Sequence, residues 1–232
     1  AQLNRDERPM ACYYQFVHWL RSFHPRAALF AGRVGEVRWP WAAMAAALVA
    51  VSMAFSVRGQ GSRRIGAWAM AIGSFSLMAC EVSILLAYQV FCGYLYYKLA
   101  IILAVLMLGM AAGTALGAPR KARARPQMLA GIHALVAVYA VGFAWFAKFM
   151  GTVASGQSAG IEGGFLLLAG GIGGLIGFEY PIANQIYLGP DVDDPRKAGF
   201  IYGVDLIGSC IGALWISLWA LPVLGVGATL AI

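Results

Sequence analysis

Three carboxylates stand inside long apolar stretches of this sequence: Glu81, Glu179 and Asp205. A charge within a membrane-spanning helix costs about 2.5–3.5 kcal/mol on insertion scales, so each needs a partner or a task. At 1.5 Å per helical residue, Asp205 falls roughly 9 Å and Glu179 roughly 13 Å from the same membrane face. The two carboxylates therefore share a depth. Pro181 follows Glu179 by two positions, and its ring removes one helical hydrogen bond, freeing the carbonyl of Gly177. Carboxylates beside a broken helix, with Asn184 and Gln185 adding dipoles, make a proton- or cation-responsive site suited to a cationic substrate. The plainer reading is that the carboxyl groups are protonated, or bonded to backbone and tyrosine hydroxyls, and hold helices in register. Glu81, with Ser83 close by, fits either reading.

The remaining reactive side chains form no catalytic constellation. His133 is the single histidine inside a predicted span. Bis-histidine haem needs two, so His133 reads as a buried, hydrogen-bonded side chain. His18 and His24 lie six apart, the wrong spacing for one helix face. Cys12, Cys80, Cys92 and Cys210 are scattered without a CxxC pair. GGIGGLIG (170–177) lies within an apolar run and lacks the strand that a dinucleotide loop requires. Its glycines read as packing surface, as do Gly109, Gly113 and Gly117 and the pair Gly208 and Gly212, because small residues at spacing four let helices approach closely. No metal or cofactor is expected, and the chain is not expected to be an enzyme.

The elements that must position these residues follow from composition. Of 232 residues 61% are hydrophobic and 12% charged, and the mean hydropathy is +0.73. A soluble domain runs about 45–50% apolar and about 25% charged, so a soluble fold is excluded. Disorder is excluded on the same numbers. A span needs about 20 apolar residues. Apolar runs cover 41–57, with Trp39 and Trp41 as interface anchors, then 65–91, 99–118, 128–150, 163–188 and 200–224. The expected fold is all-α and polytopic, with six transmembrane helices over 40–232. Residues 1–39 form a charged, aromatic lead-in containing an interfacial helix over 10–23 that Pro25 ends. The opening AQLNRDERPM has no signal-peptide character and starts on Ala, as expected of a processed chain, a fragment or part of something longer.

Loop charge sets the orientation. Loops 58–64, 119–127 and 189–198 share one face and carry nine cations, Arg58, Arg63, Arg64, Arg120, Lys121, Arg123, Arg125, Arg196 and Lys197. The other face has five: Arg26, Arg33, Arg38, Lys98 and Lys148. The first face is expected to be cytoplasmic, in a bacterial inner membrane. The halves also echo each other. Glu81, Gln89, Gly93 and Tyr94 precede the Gly109–Gly113–Gly117 helix, and Glu179, Gln185, Gly199 and Tyr202 precede Gly208 and Gly212. Three helices separate the two sets, an odd number, so the halves would be inverted three-helix repeats.

Three stretches carry a family resemblance: EVSILLAYQVFCGYLYYK (81–98) with the glycine-rich helix after it, GFEYP (177–181), and YGVDLIGSCIGA (202–213) with Leu221, Pro222 and Gly225 beyond. They resemble the membrane portion of bacterial fused major-facilitator/spermidine-synthase-like proteins, over roughly residues 3–225. The lead-in LNRDERP (3–9), with Cys12, Tyr13, Tyr14 and Trp19, is similar to the end of the synthase-like domain where it meets the membrane block. The resemblance implies a non-catalytic membrane module that anchors a soluble domain or passes a small cationic solute. Aminopropyl transfer would belong to a separate Rossmann-like domain whose glycine-rich loop and catalytic Asp this sequence lacks. A synthase using a cytoplasmic cofactor would place the lead-in inside, whereas loop charge places it outside. The alternative from another class is an accessory or scaffold subunit of a larger respiratory or photosynthetic membrane complex. Its expected partners are the lipid bilayer and other membrane subunits, with no nucleic acid.

Overall fold

The computed structural model describes His18 and residues 62–92, 96–153, 159–189 and 194–220. Among these residues the regular structure is entirely helical: α1 (Ser62–Cys92), α2 (Tyr96–Gly117), a 3₁₀ turn (Ala118–Arg123), α3 (Pro126–Val153), α4 (Ala159–Leu188), α5 (Pro195–Leu214) and a closing π turn (Trp215–Ala220). Among the described residues five helices, α1 to α5, are long and apolar enough to cross a membrane, against the six expected. The expected span over 41–57 and the interfacial helix over 10–23, His18 apart, lie outside the described residues.

Local chemistry sets several boundaries. Asp194 caps α5, its carboxylate accepting from the Arg196 N–H at 3.0 Å, and Pro195 occupies the first turn where its missing N–H is harmless. At the end of α4 the chain turns through Gly189 at φ +60°, a left-handed conformation that glycine adopts without a Cβ penalty. The Gly189 N–H donates to the Gln185 carbonyl at 2.9 Å, closing the helix.

Glycine decides which helices meet and how closely. A Cβ on Gly109, Gly113 or Gly117 of α2 would collide with the backbone of Gly170, Gly174 or Phe178 of α4. Both sets of numbers rise together, so α2 and α4 run parallel. A Cβ on Gly208 or Gly212 of α5 would likewise strike the carbonyls of Ala71 and Phe75 of α1, a second parallel pair. Between them α1 and α4 cross antiparallel, with Gly66 against Ala183 and Tyr187, and Gly73 against Glu179. Without a hydrophobic drive between helices in lipid, such backbone approaches supply the association through dispersion contacts. α3 packs on both α1 and α4. Phe165 of α4 is fully buried there, with its ring 5.5 Å from Tyr88, 6.4 Å from Phe91 and 5.3 Å from Phe146. Large apolar side chains such as Leu108, Leu167 and Ile207 point outward. In water they would be an aggregation hazard, while in a bilayer they meet lipid.

Candidate functional site

Two consecutive residues of α1 organise the polar interior. Neighbouring positions on a helix point about 100° apart, so Gly73 and Ser74 address different partners. Gly73 gives room for a carboxyl group: a Cβ there would sit 2.8 Å from Glu179 Oε2 and 3.0 Å from Oε1. Ser74 reaches the other way and contacts Asp205 Oδ1 on α5. Glu179 and Asp205 are thus gathered on adjacent residues of one helix, at one level of the bundle.

The far side of Glu179 meets α3. His133 Nε2 lies 3.4 Å from Glu179 Oε1, and the two residues are only 3% and 2% exposed. His133 Nδ1 is 2.9 Å from the Leu129 carbonyl. That carbonyl can only accept, so Nδ1 carries a hydrogen and Nε2 is the position open to titration. One proton between Nε2 and Oε1 makes their contact attractive, whether it sits on the imidazole or on the carboxyl. With two protons, the carboxyl hydrogen would have to sit on Oε2 so that Nε2–H faces a bare Oε1. With none, a bare nitrogen lone pair would face a carboxylate. Among the described residues no hydrogen bond reaches His133 Nε2, either Glu179 oxygen or Asn184 Oδ1, all of them buried.

Ser74 has one hydroxyl hydrogen and two oxygen neighbours, the Met70 carbonyl at 2.8 Å and Asp205 Oδ1. That single hydrogen can be donated to only one of the two oxygens at a time.

The other expected site residues are placed differently. Glu81 is half-buried on α1. It lies eight residues beyond Gly73, roughly 12 Å along the axis, so it does not join Glu179 and Asp205. Gln185 donates through Nε2 to the Gly189 carbonyl at 3.1 Å, which is helix-end work. α4 continues unbroken through Pro181, and the carbonyl of Gly177 accepts the Thr114 hydroxyl of α2 at 3.0 Å. The expected broken helix is therefore a continuous one, with its spare acceptor taken by a neighbouring helix. Gly109, Gly113, Gly117, Gly208 and Gly212 all lie at helix–helix contacts. Among the described residues no three His, Cys, Asp or Glu side chains converge as a metal site.

His133 is buried and hydrogen-bonded, as its place in the sequence implies, but its nearness to Glu179 and the parts of Ser74 and Gly73 do not show in the sequence. Depth was the available signal. His133 lies seven residues into α3 and Glu179 nine residues before the end of α4, both counted from the same face. No protein-family model, curated protein or solved structure matches the chain.

Proposed function

We propose that this chain is a membrane module of the fused major-facilitator/spermidine-synthase-like type that passes a small cation, and that Glu179 with His133 and Asp205 with Ser74 are its intramembrane site. The observation that carries the reading is the buried Glu179–His133 pair. Polar groups this deep persist where they bind or relay something, and this pair, set beside a second carboxyl, can take up and release one proton. The aminopropyl-transfer chemistry implied by the resemblance lies outside these residues. The module's orientation puts loops 58–64 and 119–127 in the cytoplasm of a bacterial inner membrane, on loop charge.

The helix contacts support six spans in two inverted repeats. Exchanging α1 with α4, and α2 with α5, turns the parallel α2–α4 contact into the parallel α5–α1 contact. The antiparallel α1–α4 crossing maps onto itself. Under that exchange the span 41–57 corresponds to α3. Transporters built this way place their sites near the midplane where the repeats meet, and the Gly73–Glu179 contact belongs to that crossing.

The test is flux in proteoliposomes, with a trapped pH dye reporting protons and labelled spermidine as the organic cation. Wild type is expected to pass one of these probes. Glu179→Gln and Asp205→Asn are expected to reduce that flux at least tenfold while eluting as the wild type does in detergent. Normal flux in both variants refutes the site.

A second reading, an accessory subunit of a larger membrane complex, has one specific observation behind it. Gly199 and Gly203 lie at spacing four on α5, and nothing stands within 4 Å of the Cβ position of either. A partner helix could approach closely there. Fixed-ratio co-purification in mild detergent, lost in Gly203→Leu, would favour this reading. A monodisperse lone protein would exclude it.

A further inference from the structure

The turn joining α2 to α3 gathers cations beyond what topology requires. Residues 120–125 read RKARAR, and no acidic residue occurs between Glu81 and Glu162. The 3₁₀ turn Ala118–Arg123 bends the chain at the membrane surface, and the Ala124 N–H closes it on the Lys121 carbonyl at 3.0 Å. The result is an open groove of about 760 Å³ lined by Arg120, Arg123, Ala124, Arg125, Gln127 and Met128. Arg120 forms its fixed wall: its Nη1 donates to the Leu116 carbonyl at 2.6 Å, and its guanidinium lies 5.4 Å from the centre of the Phe178 ring. Arg123 and Arg125 are exposed and pair with no carboxylate among the described residues. The groove also adjoins the first turn of α3, where Pro126 has no N–H and the Met128 N–H donates to the Arg125 carbonyl at 2.9 Å, so that it is the helix dipole that favours an anion there.

We propose that this groove binds the phosphate-bearing headgroup of an anionic membrane phospholipid. Three guanidinium groups supply paired N–H donors that match phosphate oxygens. Met128, and the exposed Leu116 one turn before Arg120, flank the groove with apolar surface for acyl chains. A basic pocket at the end of spanning helices, at headgroup level, is the place where such lipids are held. The assignment is independent of the transport reading, because it uses residues of the surface turn alone.

Positive charge in this loop also serves orientation, and the two roles separate on substitution. Orientation depends on the number of cations, whereas phosphate recognition depends on the planar fork of arginine. The experiment is native mass spectrometry of the purified chain after delipidation, followed by titration with phosphatidylglycerol, cardiolipin or phosphatidylcholine. Wild type is expected to bind phosphatidylglycerol or cardiolipin at least tenfold more tightly than phosphatidylcholine. The double variant Arg123→Gln/Arg125→Gln is expected to lose that preference. Arg123→Lys/Arg125→Lys keeps the charge and the topology, and is expected to bind at least threefold more weakly than wild type. Equal binding of phosphatidylcholine, retained preference in the Gln variant, or full affinity in the Lys variant would each overturn the site. Displacement of the lipid by millimolar inorganic phosphate would overturn the lipid as its source and make the groove a site for a free anion.

Discussion

The Thr114 hydroxyl donates to the Gly177 carbonyl, the acceptor that Pro181 leaves without its helical N–H. A proline within a spanning helix is tolerated when a neighbour satisfies the freed group, and here α2 does so for α4. Thr114→Val should therefore destabilise the bundle by about 1 kcal/mol, the scale of interhelical hydrogen bonds in membranes. Pro181→Ala restores the N–H, so Thr114→Val should cost close to nothing in that background. Thermal unfolding of the four proteins in detergent closes the cycle. An equal cost in both backgrounds would mean that the hydroxyl does not compensate the proline.

Glycines of α2 and of α3 should respond in opposite senses. A Cβ on Gly113 would collide with the backbone of Gly174 and Phe178, while at Gly142 it would meet nothing within 4 Å. Backbone cannot yield as a side chain can, so Gly113→Ala should force α2 and α4 apart and cost about 1–3 kcal/mol. Gly142→Ala should be neutral or stabilising by up to about 1 kcal/mol through helix propensity. Melting temperatures in detergent decide this, and a Gly113→Ala protein as stable as wild type would contradict the close α2–α4 approach.

Apolar run length carried the span positions: the runs at 65–91, 99–118, 128–150 and 163–188 lie on α1 to α4 with ends differing by up to four residues, and the run 200–224 overlaps α5. α5 differs most: it starts five residues earlier, at Pro195, because Asp194 caps it, a local signal that hydropathy averages away, and it ends at Leu214 with the π turn beyond it. The site was only partly legible. Glu179 and Asp205 stand out because a carboxyl group in an apolar run is expensive wherever it points. Their partners do not stand out, since His133 and Ser74 become significant only once helix rotation is known, and rotation is set by packing. Pro181 shows the same limit: its freed carbonyl is visible in sequence, but the threonine that takes it is 63 residues away.

The Glu179–His133 pair predicts a strongly non-additive set of variants. In Glu179→Gln the side-chain amide can still donate to Nε2, so stability should change little even as proton exchange is lost. Glu179→Leu removes the carboxyl that stands 3.4 Å from the buried imidazole nitrogen, and His133→Leu removes the imidazole from the buried carboxyl. Each single change should cost about 3–5 kcal/mol if the remaining partner carries charge. The double Leu variant removes both polar groups and should recover most of that loss. Thermal unfolding of the set measures the coupling, and additive losses would mean that the two side chains do not interact.

Lys98 and Glu162 join the first turns of the parallel helices α2 and α4, at the end opposite the arginine groove. Their side chains are 18% and 31% exposed, so the pair is partly screened and its contribution is small. Glu162→Lys places like charges at this junction and should lower stability by more than Glu162→Gln. The exchange Lys98→Glu/Glu162→Lys should recover most of it. Glu162 is favourable and Lys98 unfavourable to the dipole of its own helix, and the exchange trades one for the other. The difference between wild type and Glu162→Gln should shrink in 0.5–1 M salt, where screening shortens to roughly 3–4 Å. A difference unchanged by salt would assign the effect to packing of the glutamate stem instead of its charge.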